Sequence, residues 1–170
     1  KIVYNIKNES GVAKGKLKLV NNKEGVTATG DEATLTNGKE LLVSGILEYK
    51  MDDYILNTKE ALYLLDEEKI YFDNPGVLVN KIEKLQIDFK KAEYDKKNNK
   101  VNMFEFKGNK EGMDFESDTA HYIGDEKKFV MKDNAKMNRE NLEMSSKQFD
   151  YYTETGELIS ETELTIKEAN

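Results

Sequence analysis

The stretch "TAHYIGDEKKFVM", Thr119 to Met131, alternates polar and apolar residues, passes through a polar turn and alternates again, the pattern of two strands joined by a hairpin. It also carries the chain's one histidine, His121. Nearly the same phrase recurs as "EALYLLDEEKIYF" from Glu60 and "KAEYDKKNNKVNMF" from Lys91, and more loosely as "DEATLTNGKELLVS" from Asp31 and "QFDYYTETGELIS" from Gln148. Anchored on Ala33, Ala61, Ala92, Ala120 and Phe149, the copies are spaced by 28, 31, 28 and 29 residues, a period of the kind that repeat architectures produce. Five strand-turn-strand units fill the chain.

Two residues beyond each anchor stand Leu35, Tyr63, Tyr94, Tyr122 and Tyr151, with Thr34, Leu62, Glu93, His121 and Asp150 between, which is strand alternation. Five residues before each anchor come Ala28, Leu56, Ile87, Phe115 and Met144. Apolar positions therefore fall at odd offsets before the anchor and even offsets after it. Side-chain parity slips within "TGDE", "NTKE", "DFKK", "ESDT" and "SSKQ", where a bulge or corner is expected. Past the polar turn, nine residues from the anchor, the strand resumes with Leu42, Ile70, Val101, Phe129 and Leu158, followed two further on by Ser44, Phe72, Met103, Met131 and Ser160. The segments "SG", "DNPG", "FKGN" and "KDN" read as connections between copies, and Pro75, the one proline, lies there. The opening "KIVYNIKNESGVAKGKLKLVNN" reads as a partial extra copy. No helix or linker interrupts the pattern, so residues 1–170 are expected to form a single domain.

Composition narrows the function. Hydrophobic residues make up 38% and charged residues 35%, so one apolar face per strand is available and a thick multilayer core is not. The net charge is −7 and no basic stripe exists, which argues against nucleic acid. With no cysteine, disulfide scaffolds and thiolate metal sites are excluded. No apolar run approaches the roughly 18 residues of a membrane helix, and the chain begins at Lys1, so a signal peptide or anchor is expected to have been removed from it.

Strand pairs with one apolar face must bury it against another sheet surface, as a sandwich, jelly roll, solenoid or barrel. A hairpin within each period favours antiparallel pairing. The run "GVTATGDEATLTNGKELLVSGIL", Gly25 to Leu47, with its echoes "LNTKEALYLLDEEKIYFDNPGVLV" and "FESDTAHYIGDEKKFVMKDNAKM", resembles the periplasmic lipopolysaccharide-transport family of LptA and LptC proteins, also called OstA-like. The resemblance spans roughly Gly25 to Ile166. It implies an all-β, elongated, half-open antiparallel β-jelly roll whose inner face is a hydrophobic trough for the acyl chains of lipopolysaccharide. Leu56, Phe72, Ile87, Met103, Phe115, Met131 and Met144 would line that trough, with Tyr63, Tyr94, Tyr122 and Tyr151 as its rim. Exposing one acyl chain of about twelve carbons to water costs on the order of 10 kcal/mol, which a dry trough removes. The implied role is a non-enzymatic carrier, without cofactor, in the periplasm, either soluble or tethered to the inner membrane. Implied partners are lipopolysaccharide and like domains paired edge to edge, including head-to-tail copies of this chain.

Other readings stand beside it. Without the resemblance the apolar columns suit an ordinary sandwich core better than a ligand trough, and tyrosine is a favoured strand residue with a wet tip. His121 lies on the polar side of its strand with no second histidine, which reads as solvated surface and not as a metal ligand. The turns "LDEEK" and "GDEKK" lack the alternating carboxylates of a calcium loop. A repeat-built adhesin or glycan-binding solenoid would show exposed aromatic platforms, and a β-helical polysaccharide enzyme would need a clustered acid and base. The small residues Ala28, Ser44 and Ser160 predict a weaker grip at the two ends, and the acidic balance predicts that anionic head groups stay in solvent.

Overall fold

Hairpins form at the polar turns because their residues accept left-handed backbone: Asn37 and Gly38 (φ 50° and 63°), Glu68 (55°), Asn99 (47°), Lys127 (50°) and Gly156 (71°). The computed structural model describes residues 1–22 and 25–168. Its strands are β1 (Ile2–Asn5), β2 (Ser10–Asn21), β3 (Val26–Thr36), β4 (Glu40–Met51), β5 (Tyr54–Leu64), β6 (Lys69–Phe72), β7 (Gly76–Asn80), β8 (Leu85–Phe89), β9 (Lys91–Asp95), β10 (Lys100–Lys110), β11 (Met113–Ile123), β12 (Lys128–Arg139), β13 (Leu142–Tyr152), β14 (Leu158–Ile159) and β15 (Leu164–Glu168). All belong to one antiparallel sheet of fifteen strands. The five copies are β3 with β4, β5 with β6 and β7, β8 and β9 with β10, β11 with β12, and β13 with β14 and β15. The strands β1 and β2 are the partial extra copy.

Each copy turns a corner at mid-strand where the parity slip is expected. Buried residues on the inner face sit three apart there: Gly30 and Ala33, Thr58 and Ala61, Phe89 and Ala92, Ser117 and Ala120. On the neighbouring strands an extra residue absorbs the change, at Gly15 (φ 119°) in β2, Gly45 (106°) in β4 and Asp133–Asn134 (59° and 53°) in β12. Breaks between β6 and β7 and between β8 and β9 do the same job. The corner residue two before the anchor clamps that bulge from the outer face. Asp31 accepts from Ile46 N–H at 3.4 Å, Asp118 accepts from Asn134 at 2.8 Å, and Lys90 pairs with the left-handed Glu105.

The corners fold the sheet so that its two halves face each other. Phe115 on the first half lies 5.2 Å, ring centre to ring centre, from Tyr151 on the second, and Phe106 lies 5.8 Å from Phe129. Unbroken cross-strand rows run along both inner faces. On the first half the row is Leu19, Ala28, Tyr49, Leu56, Leu78, Ile87, Gly108, Phe115, Met137, Met144 and Ile166. On the second, the tyrosine column alternates with Leu41, Ile70, Val101, Phe129 and Leu158. Beside it the small anchors alternate with Val43, Phe72, Met103 and Met131. Outward positions carry cross-strand ion pairs such as Lys14–Glu32 and Lys136–Glu116, both 3.0 Å.

Two sequence expectations are corrected. In the first copy the inward residues are Leu41 and Val43, paired with Leu35 and Ala33, and not Leu42 and Ser44, because its turn is one residue shorter. The segments "SG", "FKGN" and "KDN" lie within return strands, at or beside their corners, and "DNPG" links β6 to β7 inside one copy, whereas the copies are joined at Asp52–Asp53, Lys81–Lys84, Glu111–Gly112 and Glu140–Asn141. Glycine and asparagine suit a bulge and a turn for the same reason, their ease with positive φ. Gly108 leaves the first row open for a ring, since a β-carbon there would stand 2.8 Å from Phe115 Cδ2 and 3.1 Å from Phe106 Cζ. Gly108→Ala is expected to destabilise the fold by about 1–3 kcal/mol through overpacking, read as a lower urea midpoint at unchanged slope.

Candidate functional site

The inner rows do not fill the space between the half-sheets evenly. Toward β2 and β3 the row residues are short, and a cavity of about 320 Å³ opens among Leu19, Val26, Ala28, Leu41, Val43, Leu47, Tyr49, Tyr63 and Ile70. In the middle copies a second cavity of about 510 Å³ lies among Tyr49, Leu56, Phe72, Leu78, Leu85, Ile87, Ala92, Tyr94, Val101, Met103, Tyr122 and Phe129. Toward β11–β13 the bulk increases: Phe106, Phe149, Met131 and Met137 are fully buried. The space is filled there.

The residues singled out in the sequence divide accordingly. Leu56, Phe72, Ile87 and Met103 all face the larger cavity, as do Tyr94 and Tyr122, while Tyr63 faces the smaller. Phe115 and Met131 are buried in the filled end, and Met144 is half-buried beside Met137. Tyr151 is 4% exposed and packs against Phe115, so it is an interior residue and not part of a rim. Ser44 lies outside the inner face, leaving Val43 in its place. Sequence reading passed over Tyr49 and Leu78, which with Leu19, Gly108, Met137 and Ile166 form one more column, spaced by 30, 29, 30, 29 and 29 residues. Its period was the available signal.

Polar groups gather at one mouth of the larger cavity: Asp52, Asp53, Asn80, Glu83, Asn99, Lys127 and Thr153. The Tyr54 hydroxyl donates to Glu83 Oε1 at 3.3 Å, and burial, reinforced by the Glu83 charge, pushes its pKa up to about 12. Asn80, buried, accepts from the N–H groups of Ile82 and Glu83 at 3.0 Å and so fixes the turn that carries Glu83. Lys127 forms an ion pair with Glu154 at 3.1 Å. The arrangement offers an apolar interior under a mainly acidic lip. Among the described residues no group of three or more His, Cys, Asp and Glu could hold a metal ion, and no helix is long and apolar enough to cross a membrane.

Fold and cavities together define an elongated antiparallel jelly roll that can enclose apolar ligands between its half-sheets. The chain belongs to the LptC-related lipopolysaccharide-assembly family, whose model matches residues 47–162. It is also similar to the crystal structure of LptH, described as the LptA homologous periplasmic component of the conserved lipopolysaccharide transport device from Pseudomonas aeruginosa. That match covers 95% of each chain at 11% identity and a TM-score of 0.33. No curated protein sequence matches the chain.

His121 stands apart from the cavities, on the outer face between Asn102 and Val130. Its Nδ1 is 2.8 Å from Asn102 Oδ1, and since that oxygen can only accept, Nδ1 carries the proton. Burial, then the nearby Lys100 and Lys132, hold its pKa below the ordinary value. The unfolded chain therefore takes up this proton near pH 6.5, before the folded chain does, so the contribution to stability is complete above that pH and is lost as pH falls below it. The urea midpoint should decline between about pH 7 and 5, with a shallower decline in His121→Gln; equal slopes would refute the assignment.

Proposed function

We propose that this chain is a non-enzymatic periplasmic carrier of lipopolysaccharide, which holds acyl chains between its half-sheets while the head groups stay in solvent. The observation that carries this reading is the pair of apolar-lined cavities inside a sheet that belongs to a lipopolysaccharide-assembly family. Each methylene moved from water into such a space is stabilised by about 0.8 kcal/mol, and the flexible Met103 beside the flat Phe72 and Tyr94 suits disordered chains. In this reading Leu56, Phe72, Ile87 and Met103 contact lipid, with Tyr49 and Leu78 added, while Phe115, Met131 and Met144 serve mainly to close the far end. The acidic lip disfavours anionic head groups, which fits their remaining outside. Exposed aromatic side chains are confined to Tyr4 and Phe104 among the described residues, on separate strands, which is no platform for a glycan.

The carrier is further read as one link of a bridge between the two membranes. Strand β1 is exposed along its whole length and so is β15, leaving open sheet edges at opposite ends of the strand order. Pairing β15 of one molecule with β1 of the next is a heterologous contact that propagates and lines successive troughs into one path.

Native mass spectrometry of protein from a lipopolysaccharide-producing host should find a bound glycolipid. Leu78→Asp, which puts a charge at a half-buried cavity position, should abolish its capture, whereas Glu116→Ser on the outer face should change affinity by less than about 0.5 kcal/mol. Capture undiminished in Leu78→Asp would sink the trough. The edge is tested at Ile2: Lys1 and Lys14 exchange both backbone hydrogen bonds, so in antiparallel alternation Ile2 N–H points away from β2. Ile2→Pro should leave the monomer folded and suppress the concentration-dependent association expected of the wild type in sedimentation experiments. A wild type that stays monomeric at high concentration and pairs with no Lpt-type domain would contradict the bridge and leave the carrier standing.

A further inference from the structure

We propose that Tyr49 is a partition that keeps the two cavities as separate acyl compartments, so that the chains of one bound lipid part around this ring. The proposal rests on the carrier reading and adds the residue that divides the chains between the cavities. Among the described residues Tyr49 alone lines both cavities. It stands in the first-half row between Ala28, which faces the smaller cavity, and Leu56, which faces the larger. In that row the only other ring is Phe115, and there the space is closed by Tyr151 across the interior. At Tyr49 there is space on both sides. A chain entering either compartment meets the ring and must end or turn back, so a single long chain gains nothing from the second compartment. A lipid with several chains can fill both at once, with its head group over the ring.

The rest of the row supports this division. Leu19 and Ala28 on one side and Leu56, Leu78 and Ile87 on the other are aliphatic, and none of them lines both cavities. Removing the Tyr49 ring would therefore join the compartments while leaving both sets of walls in place.

Because Asp52, Asp53 and Glu83 make the larger mouth acidic, neutral monoacylglycerols are the appropriate probes, single-chained and varied only in length. Their affinities are measured by displacement of a fluorescent monoacylglycerol from the wild type, Tyr49→Phe and Tyr49→Ala, with Tyr49→Leu as the ring-free variant should Tyr49→Ala fail to fold. In the wild type and Tyr49→Phe, affinity should stop rising once the chain spans one compartment, and native mass spectrometry should count two monolaurin molecules per chain. In the ring-free variant affinity should go on rising past that length, by about fourfold for each further methylene buried. The same length dependence in all variants, or a wild type with no plateau up to monobehenin, would overturn the partition while leaving lipid binding intact. Failure of every probe to bind any variant would instead refute the carrier reading, and the partition with it.

Discussion

The corner in the middle of each long strand is the constraint on which the rest of the structure depends. With 38% hydrophobic residues spread over fifteen strands, the sheet has one apolar face and no second layer to cover it. Straight strands would leave that face in water. By turning each copy through a corner between positions three apart, such as Gly30 and Ala33 or Ser117 and Ala120, the sheet becomes its own covering layer. The corner strains the ladder, and polar side chains meet the freed groups. Thr58 Oγ1 donates to the Pro75 carbonyl at 3.1 Å and Ser117 Oγ to the Thr119 carbonyl at 2.8 Å. Among the described residues no buried side-chain nitrogen or oxygen is left unpaired.

The same corner explains what could be read from the sequence. Period, hairpins, outgoing strands and parity slips were visible because Ala33, Ala61, Ala92 and Ala120 repeat one environment with one type of residue. The return strands were harder, since their bulges use Gly45, Asp133 and Asn134, which signal a turn as strongly as a bulge. Reading those as connections ended each copy too early and hid the column of Tyr49, Leu78, Gly108 and Met137. The two-residue left-handed turn at Asn37 and Gly38 shifted the first copy by one, and a one-residue shift exchanges the faces, which is why Ser44 was placed where Val43 belongs. Alternation gives the face of a strand but not the volume left above it. Phe115 and Leu56 occupy equivalent positions, yet Leu56 borders the larger cavity while Phe115 borders neither of the two and packs on Tyr151.

Volume is set by the sum of row residues across the interior, and this sum changes along the molecule. Near β3 the facing positions include Ala28, Ala33 and Ala61, which leave room; near β12 they include Phe115, Phe129, Phe149 and Met137, which do not. Repetition of the backbone with graded side chains thus produces a trough that is open over one part of its length and packed over the other. The packed part supplies the stable core that an empty trough lacks, since cavities forfeit dispersion contacts and destabilise their linings.

In the carrier reading proposed above, release is as much a constraint as capture. At about 0.8 kcal/mol per methylene, a trough that buried every chain of a large lipid would hold it too tightly to pass it on. Two limited cavities, short of the end where Phe115 and Tyr151 pack against each other, bound the area any ligand can bury. The outer face adds little to that balance: its ion pairs, such as Lys39–Asp66 at 3.1 Å, are exposed and individually worth about 0–1 kcal/mol. Stability therefore rests on the folded sheet and its filled end, while in the carrier reading affinity rests on the open part, so that one could be tuned by substitution without undoing the other.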